Sequence, residues 1–274
     1  MSRIDVALVT GGKWHDFDYA RFELLAALRS DERIRVRAAS DYEDAGLLSA
    51  QALVSYTCDV RPSRAAQVAW RRWVEAGGRW LALHGTNAAI DPPARLGREP
   101  FVTPRAFPLW ADTLGSQFLS HPAMATYRVT VSPGAADDPL VAGIDDFDAG
   151  VDELYLCEYH GEIAPLLETR WTGDTGVPGF AEHDWPVDEP RLVLYRRRLG
   201  AGEVVYFTLG HCRSRWDMVD PPFDGAPYPV TERGSWEVPA FRTILHRALA
   251  WAAGIDTIDG TATGGARPGK QGDA

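Results

Sequence analysis

The chain has 274 residues and a formal net charge of −10, a length that suits one large α/β domain with insertions. The acidic balance, with no basic stripe, argues against a nucleic-acid partner, and no apolar run approaches the roughly 18 residues of a membrane span. Three cysteines (Cys58, Cys157 and Cys212) without paired spacing are neither a disulfide framework nor a zinc-finger pattern, and they fit a cytoplasmic location, as does an N-terminus without a signal-peptide pattern. The one basic run, Arg196-Arg197-Arg198, reads as the solvated end of a strand. Ten Trp and nine Tyr suit either core packing or stacking on sugar rings.

The first half alternates strands and helices. Asp5 to Thr10 is a short apolar run ending in Gly11-Gly12, as a buried parallel strand leaves a sheet. Phe17 to Leu28 places Phe17, Leu24, Leu25 and Leu28 on one helical face. Arg33 to Ala38 reads as an edge strand and Ala52 to Tyr56 as a buried one. Pro62 opens a helix that Gly77-Gly78 stops. Arg79 to Leu83 is a fourth strand, running straight into His84-Gly85. This order predicts a parallel sheet with helices on both faces.

Beyond it the alternation stops. Asp91 to Pro108 is proline-rich and loop-like. Thr126 to Ser132, Asp152 to Tyr159 and Pro165 to Trp171 read as inserted strands, and Gly173 to Pro190 as a turn-rich acidic stretch. Arg191 to Arg198 and Glu203 to Leu209 form a hairpin. Val238 to Ala253 is a helix that Gly254 ends. The single domain is expected over residues 1–255. The Gly- and Thr-rich remainder, 256–274, lacks apolar side chains and is expected to be disordered.

In an open parallel sheet, ligands bind beyond the carboxyl ends of the strands. His15 and Asp16 follow the first strand, His84 the fourth, and His211 the strand VVYFTLG. His121 and Glu153 lie in the insertion and can fold over the same rim. Each histidine alone reads equally as a loop residue or a helix cap; three after three strands of one sheet is a stronger signal. His160 is an outside candidate, and His183 and His246 lack such a placement. At the turn after the fourth strand, where nucleophile-elbow enzymes carry Ser or Cys, this chain has His84. Imidazole serves as a base, an electrophile or a metal ligand. Thr86 is close by, but Thr needs a strong adjacent base to attack.

The segments VTGGKWHDF, WLALHGTNAA, GSQFLSHP, DELY, GEVVYFTLGH and WEVPAFRTILHRALAWAAG together resemble the ThuA-like (trehalose-utilisation) family, in that family's order and up to Gly254. The resemblance implies a flavodoxin-like, class I glutamine-amidotransferase-like fold and a link to disaccharide and keto-sugar catabolism. The long segments 173–190 and 217–235 depart from many relatives and are expected to line or cover the cleft.

The leading expectation is an enzyme acting on a glycoside or keto-sugar, as an isomerase, lyase or hydrolase. His84, His211 and Glu153 would be catalytic, and His15, Asp16, His121 and Thr86 would bind substrate. A divalent metal such as Zn²⁺ on His84, His121 and His211 is one version; a metal-free polar pocket is the other. The alternative is a non-catalytic sugar-binding or regulatory protein on a scaffold that lacks the cysteine nucleophile. Active glutaminase chemistry is not expected. The ligand is a small-molecule carbohydrate in either case, and self-association as a homo-oligomer stays open.

Overall fold

The sheet begins where the chain is most apolar. In the computed structural model, which describes residues 2–176, 179–219, 223 and 227–258, β1 (Ile4–Gly12) pairs in parallel with β2 (Ile34–Ala39) on one side and β3 (Ala52–Cys58) on the other. β4 (Arg79–Leu83) lies beyond β3. β2 is the sheet edge, as its charged alternation predicts. All seven residues of β3 are buried, the mark of a strand covered on both faces.

Helices supply the two covers. α1 (Phe17–Leu28) and α4 (Pro239–Ala253) pack with Val6, Leu8, Val54, Leu81 and Phe207 on one face. α2 (Arg64–Glu75) packs with Ala7, Val9, Leu53, Trp80 and Tyr206 on the other. Neighbouring strand residues thus divide between two cores, as a two-residue side-chain period requires. Ser63 caps α2 by accepting from the Ala66 amide at 3.1 Å, so the helix starts after Pro62 rather than at it. Gly254, at φ 69°, ends α4 in the left-handed conformation.

The inserted half differs more from expectation. α3 (Pro108–Leu114) and β5 (Ser116–Ser120) follow the proline-rich segment; the last of its prolines is the first helical residue, where a missing N–H costs nothing. β6 (Arg128–Val131), β7 (Phe147–Asp148), β8 (Leu156–Tyr159) and β9 (Ala164–Arg170) come next. The expected strand from Asp152 is continuous only from Leu156; Asp152 makes an isolated bridge with Ala125, and its buried carboxylate takes up nearby backbone amides. β10 (Gly173–Asp174) and β11 (Asp184–Trp185) form a small ribbon in the acidic stretch.

β12 (Pro190–Leu199) and β13 (Gly202–Phe207) form the expected hairpin. β13 pairs in parallel with β4. The large sheet therefore runs β2-β1-β3-β4-β13-β12-β9-β6-β7, with five parallel strands and an antiparallel extension. The arginine run is not a solvated strand end. Arg196 pairs with Asp138 and Glu203, Arg197 is buried against Asp112, and only Arg198 is exposed. Of the expected tail, 256–274, Asp256 and Thr257 are exposed and Ile258 is buried in the core; residues 259–274 lie outside the described residues.

Candidate functional site

Three strand ends meet at one rim. After β1, Gly12 takes φ +120° with no room for a side chain, since a Cβ there would lie 1.8 Å from the Cys58 carbonyl oxygen. Trp14 follows at φ 69°, and the Asp16 amide donates to the Cys212 carbonyl at 2.9 Å. This tight exit aims His15 inward. After β4, His84 takes φ 47° and opens a single 3₁₀ turn, His84–Asn87. The expected elbow is present, but it leads into one turn rather than a long helix. After β13, His211 is held by Asp152, which accepts from the backbone amides of Gly210, His211 and Ser235 at 2.9–3.3 Å. The amide of Glu153 donates to the same carboxylate at 2.8 Å.

The side chains converge. His15 Nε2 and His84 Nε2 lie 2.9 Å apart. Glu153 Oε2 is 3.4 Å from His84 Nε2 and 3.8 Å from His15 Nε2. Glu153 Oε1 is 3.2 Å from His211 Nδ1 and 3.8 Å from His121 Nε2. His15, His84, Glu153 and His211 are all buried, with ligand atoms within 4.8 Å of one another. His121 stands at the edge of this set. The metal-capable group therefore contains His15 and Glu153 in place of the expected His121.

Two other expected residues serve the scaffold. Asp16 caps α1 by accepting from the Tyr19 amide at 3.0 Å and pairs with Arg233 at 3.1 Å. The Thr86 hydroxyl donates to the Leu83 carbonyl at 2.8 Å beneath the elbow. His160 lies apart, beside Glu158. Sequence reasoning missed Glu232, which accepts from His211 Nε2 at 2.9 Å, and Arg213, 3.1 Å from Glu232. Arg213 had a usable signal: it is two residues beyond His211 on an extended segment and so shares its side. Glu232 had none, since a carboxylate in a long loop carries no periodicity.

Burial lowers the pKa of His15 to about 4, and neighbouring His84 and His211 act in the same direction. Burial alone would also lower His211, but Glu153 and Glu232 overcome it and hold His211 up at about 9. Burial would raise Glu153; His121, His211 and His15 prevail and keep it well below the usual carboxylate range. Without a metal, neutral pH thus sets a neutral imidazole and a cationic one beside an ionised carboxylate. The thiols go the other way. Burial pushes Cys157 and Cys212 up to about 12 and Cys58 well above its ordinary value, so no thiolate nucleophile is available.

His15 and Glu153 of the cluster, with His121, line a cavity of about 400 Å³. Trp14, Phe101, Phe118, Tyr155 and Phe180 line it. Thr175, Gly179 and Phe180 come from the acidic stretch, and Met218, Phe223 and Tyr228 from the loop before α4. Both long segments therefore reach the cleft, as expected. Most of the other tryptophans are structural: Trp70, Trp80 and Trp110 pack with Tyr42 behind the sheet.

Fold and site define an α/β protein of the flavodoxin-like type, with histidine at the elbow and no activated thiol. The chain belongs to the ThuA family, described as trehalose utilisation, whose model matches residues 5–224. The match includes the four clustered residues and stops before Glu232. No curated protein matches the chain by sequence. Solved structures share the fold. A ThuA-like protein from Parabacteroides merdae is 16% identical over 92% of this chain and 90% of that one, with a TM-score of 0.57. A second, from Bacteroides uniformis, is 13% identical over 92% and 91%, with a TM-score of 0.60. A β-galactosidase from Rahnella sp. R3 is 13% identical over 93% of this chain but 32% of its own, with a TM-score of 0.55. No helix among the described residues is long and apolar enough to cross a membrane.

Proposed function

We propose that the protein is an enzyme of carbohydrate catabolism that acts on a glycoside or keto-sugar through the imidazole–carboxylate cluster. One observation carries the reading: His15 and Glu153 line an aromatic-walled cavity, with His84 and His211 buried directly against them. Its volume falls within the range of small-ligand pockets. Aromatic walls suit the apolar faces of a sugar ring, while imidazoles and carboxylates suit its hydroxyls.

Proton transfer next to a carbonyl needs a base and a group that polarises the oxygen. Glu153, kept ionised, and neutral His15 are proton acceptors; cationic His211 faces the developing negative charge. This chemistry serves isomerisation or hydration of a keto-sugar. Glutamine hydrolysis finds no nucleophile here. A cytoplasmic setting fits three cysteines that are all free and buried.

The aromatic lining by itself would also suit a sugar-binding protein without turnover. One assay separates the readings. The protein is incubated with trehalose and other glycosides and with their keto derivatives, and the products are followed by NMR. Turnover that falls at least 100-fold in Glu153→Gln, with the fold retained, is the expected result. Binding without turnover favours the non-catalytic reading, and neither binding nor turnover overturns both.

A further inference from the structure

The far nitrogen of each clustered imidazole is already committed. His15 Nδ1 lies 3.1 Å from the Lys13 carbonyl oxygen, and His84 Nδ1 lies 2.8 Å from that of Thr208. A carbonyl oxygen only accepts, so each Nδ1 carries its hydrogen and each Nε2 keeps a lone pair in the neutral ring. Those two lone pairs face each other across 2.9 Å. His211 Nε2 is engaged by Glu232 at 2.9 Å, and its Nδ1, in a fully buried side chain, has no hydrogen-bond partner among the described residues. Three imidazole nitrogens and one carboxylate therefore point at a common centre, and apart from a proton shared by His211 with Glu153 and Glu232, no positive charge of the described residues lies between them. Arg213 reaches only Glu153 Oε1 from outside, at 3.6 Å.

A proton relieves one of these contacts; a cation relieves all four. We propose that His15 Nε2, His84 Nε2, His211 Nδ1 and the Glu153 carboxylate bind one divalent transition-metal ion at the cavity floor. The assignment deepens the carbohydrate reading of the same cluster by giving it a Lewis acid for the sugar carbonyl. The spacing fits. Ligands about 2.0–2.1 Å from an ion are about 2.9 Å apart at a right angle and about 4.1 Å apart when opposite. The observed pairs span 2.9 Å to 3.8 Å, with an outer limit of 4.8 Å, so the close pairs already match and a pair near the outer limit must draw in by about 0.7 Å or more. The far-side partners (two backbone carbonyls and a carboxylate) are the supports that orient metal-bound histidines. An imidazole and carboxylate set without thiolate suits Zn²⁺ or Mn²⁺-like ions rather than Cu⁺. His15 and Glu153 line the cavity, which leaves the ion an open side toward the ligand.

The test uses full-length protein purified without chelators, its metal counted by plasma mass spectrometry. The protein is then stripped and titrated with Zn²⁺ and with Mn²⁺ by calorimetry. One ion per chain is expected. His15→Ala and Glu153→Gln should each weaken binding at least 100-fold. Glu232→Gln leaves every ligand in place and should weaken it about 10- to 100-fold by freeing the His211 ring. His121→Ala should leave metal affinity within a few-fold. Melting curves establish that each variant is folded. A native protein that neither retains nor takes up either ion overturns the proposal, as do folded His15→Ala and Glu153→Gln variants that bind as tightly as the parent. Undiminished sugar turnover by stripped protein removes the metal's role and spares the carbohydrate reading. Stoichiometric metal without carbohydrate binding does the opposite.

Discussion

Asp152 accepts a hydrogen bond from the backbone amide of His211 at 3.3 Å, and this contact ties the segment that carries Glu153 to the end of β13. The carboxylate is fully buried and also serves the amides of Glu153, Gly210 and Ser235. Asp152→Ala would strand these donors in a dry site, where each unmet group costs about 1–3 kcal/mol before relaxation. We expect a net loss of about 3–5 kcal/mol. At about 2–4 °C per kcal/mol for a domain of this size, melting should fall by roughly 6–20 °C. Asp152→Asn keeps one acceptor oxygen and should cost about half as much. Calorimetric melting checks both, and an unshifted Asp152→Ala variant would show that the clamp is dispensable.

Gly85 lets the elbow press onto β3. A Cβ at this position would lie 2.7 Å from the Thr57 carbonyl oxygen and 2.8 Å from Cys58 Cβ. The first of these is backbone, so Gly85→Ala must lift His84 away from the sheet. The expected cost is about 1–3 kcal/mol, the usual range for overpacking. The displaced His84 should also weaken metal and sugar binding together. A variant with lowered stability but intact affinity for both would show that the elbow can move without carrying His84 with it.

The parallel half of the fold was legible because its buried strands are short apolar runs closed by glycine or a polar turn and its edge strand, β2, alternates with charge. His15, His84 and His211 could be placed at one rim for the same reason: parallel strands deliver their following residues to one edge. Glu153 was assigned to the site, but its setting was not legible. DELYLCEY alternates like a strand, and only the tertiary contacts of Asp152 show why its first half is not one. The roles of Asp16 and Thr86 were read from position alone. Asp16 is three residues before Tyr19, the spacing of a helix cap, and the cap has the stronger claim on its side chain. Glu232 was invisible because its importance lies in a partner 21 residues earlier in the chain.

Chelator-treated protein should lose stability as pH rises from about 6.5 to about 9. His211 has a raised pKa in the folded state, near 9 against an ordinary 6.5, so the native protein holds an extra proton in this window. Its contribution is complete below about 6.5 and is lost as pH rises through about 9. His15 and His246 have lowered values and titrate below the window. The expected fall is a few kcal/mol by denaturant titration. With Zn²⁺ in excess the sign should reverse, since coordination favours the deprotonated ring. Glu232→Gln should flatten the metal-free slope. A stripped protein equally stable at both ends of the window would mean that Glu153 and Glu232 do not hold the proton on His211.

Phe180 lines the cavity wall and packs on the edge of a small aromatic cluster. It is half-buried on the acidic stretch, with ring centroids 5.2 Å from His121 and 5.3 Å from Phe118. Its strand-like contact with Phe101 is made by backbone: the Phe101 amide donates to Gly179, and the Ala181 amide to Phe101, both at 2.8 Å. Phe180→Ala therefore removes a wall of the cavity without removing the bonds that hold the segment. Phe118 contrasts with it, being buried and packed on Tyr155, so its truncation mixes lost stability with lost binding. For Phe180→Ala we expect carbohydrate affinity to fall about tenfold, equivalent to about 1.4 kcal/mol. Metal affinity should not change, and melting should shift by no more than about 3 °C, since a half-buried ring contributes little to the core. Calorimetric titration with the sugar that the native protein turns over gives the affinity. An unchanged value would place the sugar deeper, against Tyr155 and the histidines, and leave the acidic stretch without a part in recognition.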